Sequence, residues 1–243
     1  MKTRLFNAAV LAMGLLAVGA AHAAPPATSV YNLAKLDLLQ TCKTPVQQEN
    51  GKLALENLKA FTSWKVKDFM VQFRPDALVW HSSLAGLLEA YPKLGAVVPF
   101  KMGQWDMSHQ VEVLAFLAAH NDIDAYHVDP SRVDCIGDDS VMLITEFTGK
   151  QVLRDKTTGC ITHAVDFGSP TKILIQFKDY QASSVDPVQR LVYREYSTLD
   201  DKASVDARVR LAEAAKGPSN VPADPAKCMT DAAILADFQN QMN

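Results

Sequence analysis

The stretch Arg132–Tyr180, RVDCIGDDSVMLITEFTGKQVLRDKTTGCITHAVDFGSPTKILIQFKDY, reads as an antiparallel meander. Arg132 to Ile136 runs into Gly137-Asp138-Asp139 and out again as Val141 to Thr148, the pattern of a hairpin. Gln151 to Arg154 extends the second strand, and Thr157-Thr158-Gly159 turns the chain into Ile161–Phe167. A further turn is expected at Gly168-Ser169-Pro170, before a last strand from Lys172 to Tyr180. Upstream the period is helical. Asn50 is the expected cap of a helix carrying Leu55, Leu58 and Phe61, continued by Phe69, Met70 and Phe73 and ended by Pro75. Asp76 to Ser82 reads as a strand. Residues 83–107 are apolar yet broken by Gly86, Pro92, Gly95, Pro99 and Gly103, the pattern of a long lid-like or binding loop. A helix capped by Asp106 or Ser108 runs to His120, with Asn121 as C-cap. Helices followed by a run of neighbouring strands imply an α+β fold with an antiparallel sheet.

The ends carry different signals. Lys2 and Arg4 precede an apolar run from Leu5 to Ala20 and a small-x-small site at Ala21-His22-Ala23, after which Ala24-Pro25-Pro26 breaks the helix. This is the pattern of a cleaved secretory signal, with a new N-terminus expected at Ala24 and a periplasmic or secreted destination. Residues 24–49 form a linker and short helix. From Asp186 the signals read as helical and charged, so 183–243 is expected to be a C-terminal helical extension with a final amphipathic helix near Thr230–Gln241. Cys42, Cys135, Cys160 and Cys228 are an even set suited to disulfides in an oxidising compartment. Four cysteines allow three pairings, and stapling the two ends through Cys42 and Cys228 is the favoured one. The net charge of −3 and the lack of a basic patch argue against nucleic acid as a partner.

Three segments carry a resemblance. Phe73-Arg74-Pro75-Asp76-Ala77-Leu78-Val79-Trp80-His81, the helix starting near Ser108, and His163-Ala164-Val165-Asp166-Phe167 followed by Lys172-Ile173 and Asp179-Tyr180 resemble the NTF2-like superfamily. That superfamily includes SnoaL-like polyketide cyclases and ketosteroid isomerase-like proteins. The resemblance covers residues 50–182 and implies a cone: a curved antiparallel sheet packed on N-terminal helices around an apolar cavity. Thr171 stands where the family's last turn has glycine, and Ala182 where many SnoaL-like members have aspartate. By alignment, the isomerases' catalytic carboxylate falls at His81 and their oxyanion-hole acid at His163, while their helical tyrosine falls near Asn57. The resemblance therefore implies binding of a small hydrophobic or aromatic molecule. It also admits acid–base chemistry of the isomerase or lyase type without metal or cofactor, and a homodimer through the sheet.

Each candidate has a plainer alternative. His81 at a strand end can exchange a proton in a cleft or bond the backbone. His163 alternates with Ile161, Val165 and Phe167, as a donor or as a satisfied core histidine oriented by Glu146. Glu146 alternates with Met142 and Ile144, inward or solvated. Phe61, Trp64, Trp80, Tyr91, Trp105 and Tyr180 can wall a ligand pocket or simply pack. The acidic run from His120 to Asp129 lacks the spacing of a metal site and reads as a solvated helix exit. A non-catalytic carrier or sensor and a protein-interaction module are the rival functions.

Overall fold

The computed structural model describes residues 37–81, 104–107, 109–199 and 201–243, without side-chain detail at His81, 104–106, 199, 201 and 204–205. The expected signal sequence, Tyr91 and nearly all of the 83–107 loop lie outside the described residues.

Helix α1 (Pro45–Thr62) starts at Thr44, earlier than expected. Thr44 accepts a hydrogen bond from the Gln47 N–H, and the Gln47 side chain accepts from the Thr44 N–H. This reciprocal box, with Pro45 at the first helical position, satisfies donors that the helix cannot. Asn50 is therefore no cap. It is buried inside the helix, donating to the Asp138 carbonyl and accepting from Arg190 Nε at 2.7 Å. The short α2 (Val66–Met70) follows, then β1 (Phe73–His81), β2 (Gln104–Asp106), α3 (Gln110–His120), β3 (His127–Ile136), β4 (Ser140–Arg154), β5 (Ile161–Tyr180), β6 (Gln189–Leu199), α4 (Asp201–Ala214) and α5 (Asp231–Met242).

The strands form one sheet in the order β2-β1-β6-β5-β4-β3, antiparallel throughout except for the parallel β1–β6 pair. Breaks in register occur in β1, β3, β6 and at the end of β4. Such bulges bend and twist a strand, which is what curves the sheet. Along β4 and β5 alternate residues are buried: Val141, Leu143, Thr145 and Phe147 face those of β5 from Phe167 to Phe177. Helix α1 lies against β3 and β4, α3 against β4, and α4 against β5 and β4. Helix α5 closes the end of the core through Ile234 and Phe238, packing on α3 and α2.

Three expectations change. Residues 168–170 are no turn; β5 is one strand of 20 residues, with Pro170 opposite Glu146. Pro170 lies one residue beyond Thr171, where the pairing with β6 ends, so its missing N–H leaves no bond unmade on that side. Pro75 does not end a helix but sits in the β1 register break between Phe73 and Leu78. Residues 189–199, assigned to the helical extension, form β6 at the heart of the sheet. Helices α4 and α5 follow it, and α5, the final helix expected near Thr230–Gln241, is capped by Thr230.

The cysteines pair as Cys42–Cys135 and Cys160–Cys228, not Cys42 with Cys228. Thr41 Oγ1 accepts from the Cys135 N–H and donates to the Val133 carbonyl, holding Cys42 beside β3. Cys135 pairs with Val141, whereas Cys160 follows the far end of β4 at Arg154, thirteen residues away. That is about 43 Å of strand path, which puts the favoured pairing out of reach. At the far turn Gly159 takes φ +71°, and a Cβ there would lie 2.2 Å from Met229 C, so only glycine lets the chain before α5 approach.

Candidate functional site

The concave face of the sheet and the first helices enclose a narrow cavity. Its volume is about 10 Å³, room for about one water molecule with the side chains as they stand. Leu58 and Phe61 of α1, Phe69 of α2, Leu143 and Phe147 of β4, and Ile173 and Ile175 of β5 supply apolar walls. The polar lining is Asn57 from α1 with Glu195 and Ser197 from β6.

Glu195 is the unusual member. Its strand neighbours in register are Val79 on β1 and Ile175 on β5, both fully buried, and Glu195 itself is 5% exposed. Loss of solvent disfavours the charged form and pushes its carboxyl up from 4.5 to about 7. Ser197, two residues along the same face, is fully buried between Ile173 on β5 and the His81 position on β1. Among the described residues Ser197 Oγ and Asn57 Nδ2 have no hydrogen-bond partner, and neither does Thr145 Oγ1 one row away.

The raised carboxyl has a consequence for stability. The unfolded chain ionises near pH 4.5 and the folded one near 7, so between these values the unfolded state binds fewer protons. Stability therefore falls as pH rises through that window and stays lowered above it, by about 3 kcal/mol. Glu195→Gln is expected to be more stable than the parent at pH 8 and equal to it at pH 4.5, as read by urea unfolding at both values.

The expected site residues are dispersed. Phe61 and Asn57 line the cavity. Trp64 packs instead in an aromatic cluster, 5.4 Å from Tyr126 and 6.5 Å from Phe238. Tyr126 is buried there, which pushes its phenol above the ordinary tyrosine value. Trp80 is on the outer face, opposite Tyr196. Tyr180 also lies away from the cavity, beneath the Arg74 guanidinium at 5.5 Å. Glu146 is exposed and pairs with Pro170 rather than orienting His163. Trp105 belongs to β2, its side chain outside the described set.

The two histidines do not form a pair. His163 is buried, with Nε2 3.2 Å from the Pro218 carbonyl and Nδ1 3.0 Å from Thr162 Oγ1. It fastens the segment after α4 onto β5, the satisfied-core alternative. His81 pairs with Ser197, and Ser197 with Ile173, ten residues along β5 from His163. About 33 Å of strand path separates the two rows. His81 thus shares its row with Ser197 at the cavity, while His163 belongs to another part of the core.

Searches of solved structures find chains of similar architecture at low identity. A protein described as a SnoaL-like polyketide cyclase from Shewanella denitrificans is 11% identical, with a TM-score of 0.46, over 69% of this chain and 99% of that one. An NTF2-like protein from Burkholderia thailandensis is 14% identical, with a TM-score of 0.42, over 68% of this chain and 98% of its own. A ketosteroid isomerase-like protein from Erwinia carotovora is 12% identical, with a TM-score of 0.38, over 70% and 98%. No family model and no curated protein matches the sequence.

Glu195 escapes a reading of the sequence because Tyr193 is an extra residue in β6. Phe177 pairs with Val192 and Gln176 with Arg194, so the inward residues Val192 and Glu195 are three apart instead of two. The remaining signal is the β-favouring run Leu191-Val192-Tyr193. Among the described residues no group of three His, Cys, Asp or Glu side chains is placed to hold a metal ion.

Proposed function

We propose that the cavity binds a small, largely apolar molecule and that Glu195 transfers a proton to or from it. The observation that carries this is a carboxyl on an apolar internal wall, raised to about 7. A group with that value is divided between its two forms at neutral pH, which suits both removal and delivery of a proton. The carboxylate takes a proton from an acidic C–H and the carboxylic acid returns it to another atom of the same molecule. Isomerisation, cyclisation and dehydration all use such steps. The carrier alternative needs the same cavity and predicts binding without turnover. Native mass spectrometry of the purified protein is the test. A small molecule released on denaturation is expected; a chain that retains none, and whose melting temperature no small apolar compound raises, contradicts the reading.

Two features of setting belong to the same proposal. The disulfides and the N-terminal signal pattern support work in an oxidising compartment, which an N-terminus at Ala24 in exported protein verifies. A homodimer through the sheet is supported by the row Trp80–Tyr196–Leu174–Met142 across the outer face, where Tyr196 is 39% exposed. A lysine on this apolar row would face its own copy, so Tyr196→Lys is expected to shift the sedimentation mass from dimer to monomer. A monomeric parent removes the dimer.

A further inference from the structure

We propose that helix α5 is a displaceable plug whose Phe238 ring occupies the seat of the ligand's own ring, so that the ligand is a flat aromatic compound admitted when α5 swings out. This rests on the cavity beside Glu195 being a ligand site.

As it stands that cavity has room for about one water molecule, so a ligand reaches it only if something moves. Helix α5 is the element placed to move. It docks by one stripe: Ile234 and Phe238 are buried, Leu235, Gln241 and Met242 are half-buried, and the residues between them are exposed. It packs chiefly on α3 and α2. An element held by few buried apolar side chains can open while the rest stays folded. The Cys160–Cys228 disulfide anchors the chain two residues before the Thr230 cap, so an open α5 stays attached.

Beneath α5, Phe238 closes a space walled by Phe61, Trp64, Val66, Phe69 and Leu114, packed with no room for water. The Phe238 ring lies 6.5 Å from that of Trp64, with 32° between the planes. Phe61 and Phe69 line this space and the Glu195 cavity alike, so they form the partition between the two. Aromatic walls that seat a phenyl group seat another flat ring of that size by the same offset and edge contacts.

Two local features favour release. Trp64 has φ +55°, a conformation that a bulky residue keeps only while its surroundings hold it, and Phe238 is one of those surroundings. At the far end of α5 the Gln241 side chain accepts a hydrogen bond from the Val66 N–H at 3.0 Å. That N–H begins α2, where water can take over as acceptor once α5 leaves.

Toluene, the Phe238 side chain as a free molecule, is the probe, and hydrogen exchange of the full chain is the readout. Without toluene, α5 amides are expected to exchange at least ~100-fold faster than those of β4 and β5. Equal protection overturns the plug. Saturating toluene should speed α5 exchange by about 10-fold more and leave β4 and β5 unchanged, because a ligand seated in place of Phe238 holds the open form. Gln241→Ala removes the fastening bond and no core packing. It should raise α5 exchange and toluene affinity by the same factor, about 3- to 10-fold. Toluene that binds while α5 exchange stays the same or slows overturns the plug and leaves the cavity reading intact. So does a Gln241→Ala protein with the parent's exchange and affinity. If toluene does not bind, the aromatic seat falls, and the ligand sought by native mass spectrometry decides the cavity reading separately.

Discussion

Glu195→Gln is expected to lose about 10²–10⁴-fold in proton-transfer rate, with ligand affinity nearly unchanged. Glutamine keeps the size and hydrogen-bonding capacity of the side chain but cannot take up or give a proton at neutral pH. The readout is deuterium incorporation from solvent next to the carbonyl of a bound ketone, followed by NMR. Glu195 sits among Val79, Ile175 and the aromatic wall, where a carboxylate is poorly solvated and strongly basic for its type. The same desolvation lowers the stability of the folded chain, so the substitution that removes chemistry should add stability above pH 7. That opposition is the mark of a group kept for function. An unchanged exchange rate in Glu195→Gln would leave the carrier reading in possession of the cavity.

Breaking Cys42–Cys135 is expected to cost about 2–5 kcal/mol, the larger effect of the two disulfides. It closes a separation of 93 residues against 68 for Cys160–Cys228, and a longer closed loop restrains the unfolded chain more. Cys42 is also part of the core at 4% exposure, so the variant loses packing as well. Cys160 and Cys228 clamp the β4–β5 turn to the segment before α5. Other bonds already hold that junction: Arg154 donates to the Lys227 carbonyl and Lys227 pairs with Asp122. Paired Cys→Ala variants, unfolded in urea, measure both costs. Equal unfolding midpoints for parent and Cys42→Ala/Cys135→Ala protein would contradict the assignment, as would four free thiols in protein from an oxidising compartment.

The parts of the fold that could be read from residues are those governed by local chemistry. Gly137-Asp138-Asp139 turns β3 into β4 because glycine supplies the positive φ of 66°. The apolar spacing of Val113, Leu114 and Ala118 places α3 on the core, and Thr230 caps α5 by accepting from the Ala233 N–H. What could not be read depends on partners distant in sequence. Pro170 looks like a turn until the neighbouring strand is known to stop at Thr171. The cysteine pairing follows from how far apart the two ends of β4 lie. The extra residue at Tyr193 breaks the alternation that would have marked β6, and Glu195 was hidden with it. Phe61 was visible through the helical spacing of α1, and Asn57 through the resemblance, which places the isomerases' helical tyrosine near it.

Direct titration of the Glu195 carboxyl tests the central claim most closely. With ¹³C-labelled glutamate and Glu195→Gln to assign the signal, the side-chain carbon shift is followed from pH 3 to pH 9. A midpoint near 7 is the predicted result. A midpoint in the ordinary carboxylate range, about 4.3, would mean that the group is solvated and ionised at neutral pH, and the proposed chemistry would have no proton carrier.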